Sequence, residues 1–179
     1  MDKPAIKKKI LDFTIDGVEK FLSDHPGLEF YAFAYDCTAS EAEIRLCFNT
    51  EAEFQKTLLQ YHNGKYAHRY QSAEGIRELR YNTGDWEYAV FDSLDVMTRE
   101  EVDKTYDELN AISYNAYRDY VENLQVTFCE CLLDFTSSET YKNIPKTADF
   151  AVFCFDHDEH PTDSDERLER VRGLYVPGS

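Results

Sequence analysis

The densest run of chemistry-bearing side chains is Asp156-His157-Asp158-Glu159-His160. In an extended chain Asp156, Asp158 and His160 point the same way, and two carboxylates with an imidazole are a donor set for a divalent metal. At the end of a strand they would suit a metal-dependent hydrolase, because open sheets place ligand sites at strand ends. No H-E-x-x-H helix accompanies the run, and no other His is placed as a third ligand. The sequence favours the plainer reading, a solvated turn leading into a helix capped by Asp163 or Ser164, so no metal and no catalytic residue is assigned.

A second candidate is Tyr81-Asn-Thr-Gly-Asp-Trp86-Glu-Tyr88, which holds the one Trp. Exposed, Asp85, Trp86 and Glu87 would form a contact surface, since Trp and Tyr are enriched at binding hot spots. The favoured alternative has Trp86 plugging the edge of the core with its indole N–H on a backbone carbonyl. Residues 62–81 interleave Lys65, Arg69, Arg77 and Arg80 with Tyr66, His68 and Tyr70, a pattern seen in single-strand binders. Internal ion pairing, with Glu74 and Glu78 close by, explains these cations better. With seven Gly in the chain, neither a dinucleotide fingerprint nor a phosphate-binding loop is present, and no nucleophile elbow occurs. Cys154 lies in an apolar run where burial raises a thiol's pKa, which opposes nucleophilic use. Cys129 and Cys131 form a C-x-C pair without a second pair at zinc spacing. The five cysteines read as reduced thiols of a cytoplasmic protein.

The 179 residues carry 35 acidic and 19 basic side chains, a net charge of −16. That field repels nucleic-acid phosphate and anionic membranes. Residues 1–27 are neutral overall, so the excess lies beyond them. Residues 85–108 hold nine acids against Arg99 and Lys104, and residues 156–169 hold seven against Arg167. Solubility alone accounts for an acidic surface. The sharper reading is a docking face for a basic protein, in which Asp85, Trp86, Glu87, Asp156, Asp158 and Glu159 touch the partner.

These candidates need elements to position them. Leu11, Ile15, Val18 and Leu22 predict a helix over 5–23 with Pro4 in its first turn and His25-Pro26-Gly27 at its end. Residues 28–37 and 42–49 predict a hairpin around Thr38–Glu41, with residue i opposite 79 minus i. Tyr31, Phe33, Tyr35 and Cys37 then share one face, and Cys37 and Cys47 fall on opposite faces. Thr50 and Glu53 form a capping box for a helix presenting Phe54, Leu58 and Tyr61 and stopping at Gly64. Ile76–Tyr81 and Glu87–Phe91 read as strands around a turn at 82–85. Thr98 and Glu101 cap a helical stretch running to about Phe135, with a break near Asn110–Asn115. A loop over 136–148 precedes strand Asp149–Asp156, apolar on both parities and so expected to be buried on both faces. A last helix presents Leu168 and Val171 and closes at Gly173. Lys7, Lys8 and Lys9 precede a segment broken by Asp12, Asp16, Glu19 and Lys20, so no secretion signal is expected. The longest apolar run, Phe150–Phe155, spans six residues, too few to cross a membrane. The sum is one α+β domain over 1–179, a mostly antiparallel sheet with an N-terminal hairpin, packed by several helices.

Three stretches in order, Phe30-Tyr-Ala-Phe-Ala-Tyr-Asp36, Leu79-Arg-Tyr-Asn-Thr-Gly-Asp-Trp-Glu-Tyr88 and Val152-Phe-Cys-Phe-Asp-His-Asp158, resemble a bacterial family of uncharacterised domains often encoded beside polymorphic toxins. Tyr81 stands where that pattern has a second Trp. The resemblance implies an immunity role, binding and blocking a cognate toxin, and brings no catalytic residue and no cofactor. The leading expectation is therefore an acidic cytoplasmic binding domain for a basic partner. The alternatives are a metal-dependent hydrolase using Asp156, Asp158 and His160, or a structural or regulatory domain.

Overall fold

A computed structural model describes residues 2–65 and 67–175. Tyr66, named above among the basic residues, lies outside them. The strand Phe30–Thr38 (β1) is buried from Phe30 to Cys37 because it is hydrogen-bonded on both edges and covered on both faces. Glu43–Thr50 (β2) pairs with it antiparallel and Lys146–Asp156 (β4) pairs with it parallel. Tyr88–Asp95 (β3) adds antiparallel to β2, so the sheet is mixed, in the order β3-β2-β1-β4. The strand expected to be buried on both faces, β4, is instead an edge. Among its residues only Cys154 and Asp156 are buried, and Phe150, Val152, Phe153 and Phe155 are half-covered. Apolar residues on both parities fit an edge strand flanked by helices as well as a central one.

The hairpin register differs from the sequence pairing by two residues. Phe33 faces Phe48, Tyr35 faces Leu46 and Cys37 faces Ile44, because the connection takes Ala39 to Ala42, a 3₁₀ turn closed by left-handed Ala42. A two-residue slip keeps every side chain on its face, so Cys37 and Cys47 do lie on opposite sides. A bulge between Phe30 and Ala32 corrects one assignment. It turns Tyr31 to the face of Ala32 and Ala34, and brings Phe30 to the face of Phe33 and Tyr35. Tyr31 then uses its polar end, donating to Arg80 O at 2.6 Å and accepting from Asn49 Nδ2 at 3.0 Å.

Helices cover both faces. Lys3–Asp24 (α1), Tyr114–Thr136 (α5) and Pro161–Leu174 (α7) enclose the larger core with Phe33, Phe48, Phe128 and Leu132. Glu51–His62 (α2) and Ala73–Arg80 (α3) cover the other face through Phe54, Leu79 and Trp86. The buried stripe of α1 is Ile10, Thr14, Gly17, Val18 and Phe21, rotated from the expected one. Gly17 explains the rotation: a Cβ there would stand 3.0 Å from Leu46 Cδ1, so glycine lets the helix settle on β2. Thr50 caps α2 by accepting from Glu53 N, but the box is half-made, since Thr50 N donates to Asn49 Oδ1. The strand expected over 76–81 is helical: Ser72 accepts from Gly75 N, Ile76 and Leu79 share a face, and Ala, Glu and Arg are strong helix formers.

The long helical stretch breaks where expected. Arg99–Ile112 (α4) carries a complete Thr98–Glu101 capping box, and extended Ser113 separates it from α5. The loop expected at 136–148 contains Glu139–Asn143 (α6), capped by Ser138. His160, not Asp163 or Ser164, caps α7, because Pro161 suits the first helical position, and α7 runs through Gly173 to Leu174. Among the described residues no helix is long and apolar enough to cross a membrane.

The β2–β3 ladder is interrupted between Leu46 and Phe48, where Val90 sits at φ 56° with its side chain 47% exposed. A β-branched residue in that region is strained. Val90→Gly is therefore expected to stabilise the fold by about 1 kcal/mol, a rise in Tm of roughly 2–4 °C. A thermal melt that fell instead would show that the Val90 side chain contributes more than its backbone costs.

Candidate functional site

The segment 156–160 is spent on the fold. Asp156 is buried and accepts from Ala39 N at 3.1 Å and Asp158 N at 3.0 Å, holding the β1–β2 connection against the end of β4. Asp158 is exposed and accepts from Ser40 Oγ at 2.7 Å. His160 Nδ1 accepts from Thr162 N at 3.2 Å as the α7 cap. Glu159 receives both the Arg167 guanidinium and the Ser164 hydroxyl. Asp156, Asp158 and His160 thus each hold a different contact of the fold. Among the described residues no three His, Cys, Asp or Glu side chains gather as a metal site.

The residue of the run that does reach another site is His157. Its Nδ1 lies 2.8 Å from Asp36 Oδ1, and Thr83 Oγ1 donates to Asp36 Oδ2 at 2.7 Å. Asp36 is 4% exposed, and these two partners meet its two carboxylate oxygens. The His157 side chain that meets this carboxylate is 58% exposed. This is half of a catalytic constellation. The Thr83 hydroxyl faces the carboxylate rather than the imidazole, so it cannot serve as a nucleophile activated by His157. Asp36, Thr83 and His157 come one each from the three stretches that carried the resemblance, so those stretches share one tertiary node. Sequence reasoning passed over Asp36 and Thr83. The available signal was a carboxylate inside an otherwise apolar strand, since buried Asp is rare without partners. Asp36→Ala is expected to cost about 1–3 kcal/mol by stranding the buried Thr83 hydroxyl. A urea midpoint unchanged from wild type would mean that water already satisfies Thr83.

The residues expected to touch a partner are placed unequally. Trp86 is buried, its Nε1 donating to Arg80 O at 2.9 Å, as the plugging alternative expected. Asp85 is half-buried and accepts from Tyr61 Oη at 2.5 Å, a bond that holds the phenol's pKa up to about 12. Glu87 is exposed, Glu159 half-buried and Asp156 buried. Two of the cations of 62–81 pair internally: Arg69 lies 3.9 Å from Glu78, and Arg80 reaches Glu51 and Asp149 while stacking over Tyr31 at 4.0 Å.

One end of the sheet collects acidic side chains from distant parts of the chain. The β1–β2 connection brings Glu41, β2 begins at Glu43, β3 ends at Asp95 opposite it, and Asp158 follows β4. Arg99 at the start of α4 reaches Glu41 at 3.5 Å, and Tyr117 Oη of α5 lies 3.4 Å from Ser40 O. The α4–α5 hairpin therefore rises from this acidic end. Beside it, a cleft of about 560 Å³ between α5 and α7 is lined by Arg118, Glu122, Asp158, Glu166 and Arg170.

No curated protein matches the chain, and no solved structure does. A family model matches residues 10–174, nearly the whole domain, including all three members of the Asp36 node. The chain belongs to the family described as a domain of unknown function, DUF4303.

Proposed function

We propose that this domain binds a basic protein partner through the acidic end of its sheet. The observation that carries the reading is the convergence of Glu41, Glu43, Asp95 and Asp158 there against Arg45 and Arg99, in a chain of net charge −16. Carboxylates gathered at one end make a directed field that speeds encounter with a cationic surface and selects against acidic ones. Asp156, Glu159 and His160 are committed to a strand-end contact, an ion pair and a helix cap. The immunity role implied by the resemblance is the particular case in which the basic partner is a toxin.

The test begins with a partner captured from source cells at low salt. Its association rate is expected to fall steeply as salt rises, and to fall again with the combined variant Glu41→Gln, Asp95→Asn, Asp158→Asn. An association rate indifferent to both salt and the variant would sink the electrostatic reading.

A further inference from the structure

Resting on that reading, we propose that the aromatic flank of the α4–α5 hairpin is the docking surface, and that its occupant is a Lys/Arg-rich segment of the partner. The first observation is the state of α4. None of its 14 residues is buried, and its middle, its end and the start of α5 expose Tyr106 at 50%, Ile112 at 74% and Tyr114 at 73%. These are three of the six exposed large apolar residues among the described residues, gathered within nine positions of sequence. Such clustering marks contact surfaces, whereas scattered exposed hydrophobics do not.

The second observation is how the rings are arranged. Tyr106 and Tyr117 meet edge to face with centroids 4.9 Å apart, and Tyr114 stands one helical turn before Tyr117. Tyr106 and Tyr114 are exposed and Tyr117 is half-buried beside Tyr106. Carboxylates lie near these rings: Asp103, one turn before Tyr106, shares Arg99 with Glu41, and Glu41 and Asp158 stand close enough to Tyr117 to help burial hold its phenol protonated. Residues 99–122 hold seven acids against Arg99, Lys104 and Arg118.

Charge complementarity selects the occupant. Exposed ion pairs alone bind weakly and without orientation, because water and salt screen them. A guanidinium or ammonium laid over a tyrosine face gains from the ring quadrupole, and its methylene stem covers the apolar ring edge while the head reaches a carboxylate. Rings and carboxylates in alternation therefore suit a run of cationic side chains. A second copy of this chain would set acidic hairpins against each other, and nucleic acid would meet the same repulsion.

The probe is a nona-arginine peptide added to the full-length chain at low salt, followed by amide NMR shifts and by titration calorimetry. Shifts centred on residues 103–118 are expected. Tyr106→Ala and Tyr114→Ala, which leave the net charge unchanged, should each weaken the peptide by about threefold. Both positions lie outside the core, so the melts of these variants should match wild type. Glu74→Gln with Glu78→Gln, on α3 across the sheet, removes two charges and should weaken binding less than either tyrosine variant. Binding centred elsewhere, or insensitive to both tyrosines, would overturn the docking surface while leaving an acidic binding domain in place. Self-association through the hairpin that competes with the peptide would overturn it too. No binding at low salt would remove both the surface and the proposed function.

Discussion

Glu159→Ala is expected to destabilise the domain by about 3–5 kcal/mol, the cost of stranding a buried charge. The Arg167 side chain is 8% exposed and gives its guanidinium to both carboxylate oxygens of Glu159. Burial alone would lower the pKa of that guanidinium, and the bond to Glu159 more than offsets it. Ser164, with no exposed surface, donates to Glu159 at 2.5 Å and accepts from Asp156 N at 3.0 Å. Removing Glu159 thus leaves the Arg167 charge without its partner and the Ser164 hydroxyl without an acceptor at the joint between β4 and α7. The measurement is urea unfolding followed by fluorescence of the single buried Trp86. Adding Arg167→Met to Glu159→Ala should recover much of the loss, because it removes the stranded charge. A single-variant loss below about 1 kcal/mol would show that water reaches Arg167 and that the clamp is a surface pair. The sequence had offered Glu159 as a partner contact. The same experiment separates the roles, since a docking residue would change binding and leave the unfolding midpoint in place.

Alkaline pH should unfold the protein early. Burial pushes the Cys47 and Cys131 thiols up to about 12, and neither has exposed surface. The unfolded chain releases these protons near pH 9, while the folded chain holds them to about pH 12, so the unfolded state binds fewer protons between those values. The stabilisation is complete below about pH 9 and is lost as pH rises towards 12. Two such groups give a slope on the order of 2–3 kcal/mol per pH unit in that window. Cys47→Ala and Cys131→Ala should each flatten the slope. All five thiols are buried, so a thiol reagent at about pH 8 should label none in the native protein and all five after unfolding. Rapid labelling of one thiol in the native state would place that cysteine on an opening segment.

Local signals were legible in the residues. The Thr98–Glu101 capping box, the break between α4 and α5 and the alternation of Phe33, Tyr35 and Cys37 are written within a few positions of where they act. Each rests on short-range physics, a side chain bonding a backbone group three residues away or a two-residue pleat. The plugging role of Trp86 was legible too, because a buried indole needs an acceptor and a turn supplies one. The helical state of 73–80 was missed because eight residues with two apolar positions carry too little periodicity to separate helix from strand.

The sequence by itself determined the α+β class, the acidic character and most helix ends. Only the tertiary structure decided that β4 lies at the edge, parallel to β1, and that choice builds the site. Parallel pairing brings the carboxyl ends of two strands together, so His157 meets Asp36 across 121 positions and Asp158 meets Ser40 across 118. No local pattern encodes such a meeting, because it depends on which strand edge is free when the helices between β2 and β4 have packed. The Tyr31 bulge has the same origin: alternation assigns every residue a face, and one extra residue, placed by the fit of Phe30 against Phe48 at 4.5 Å, reverses the assignment.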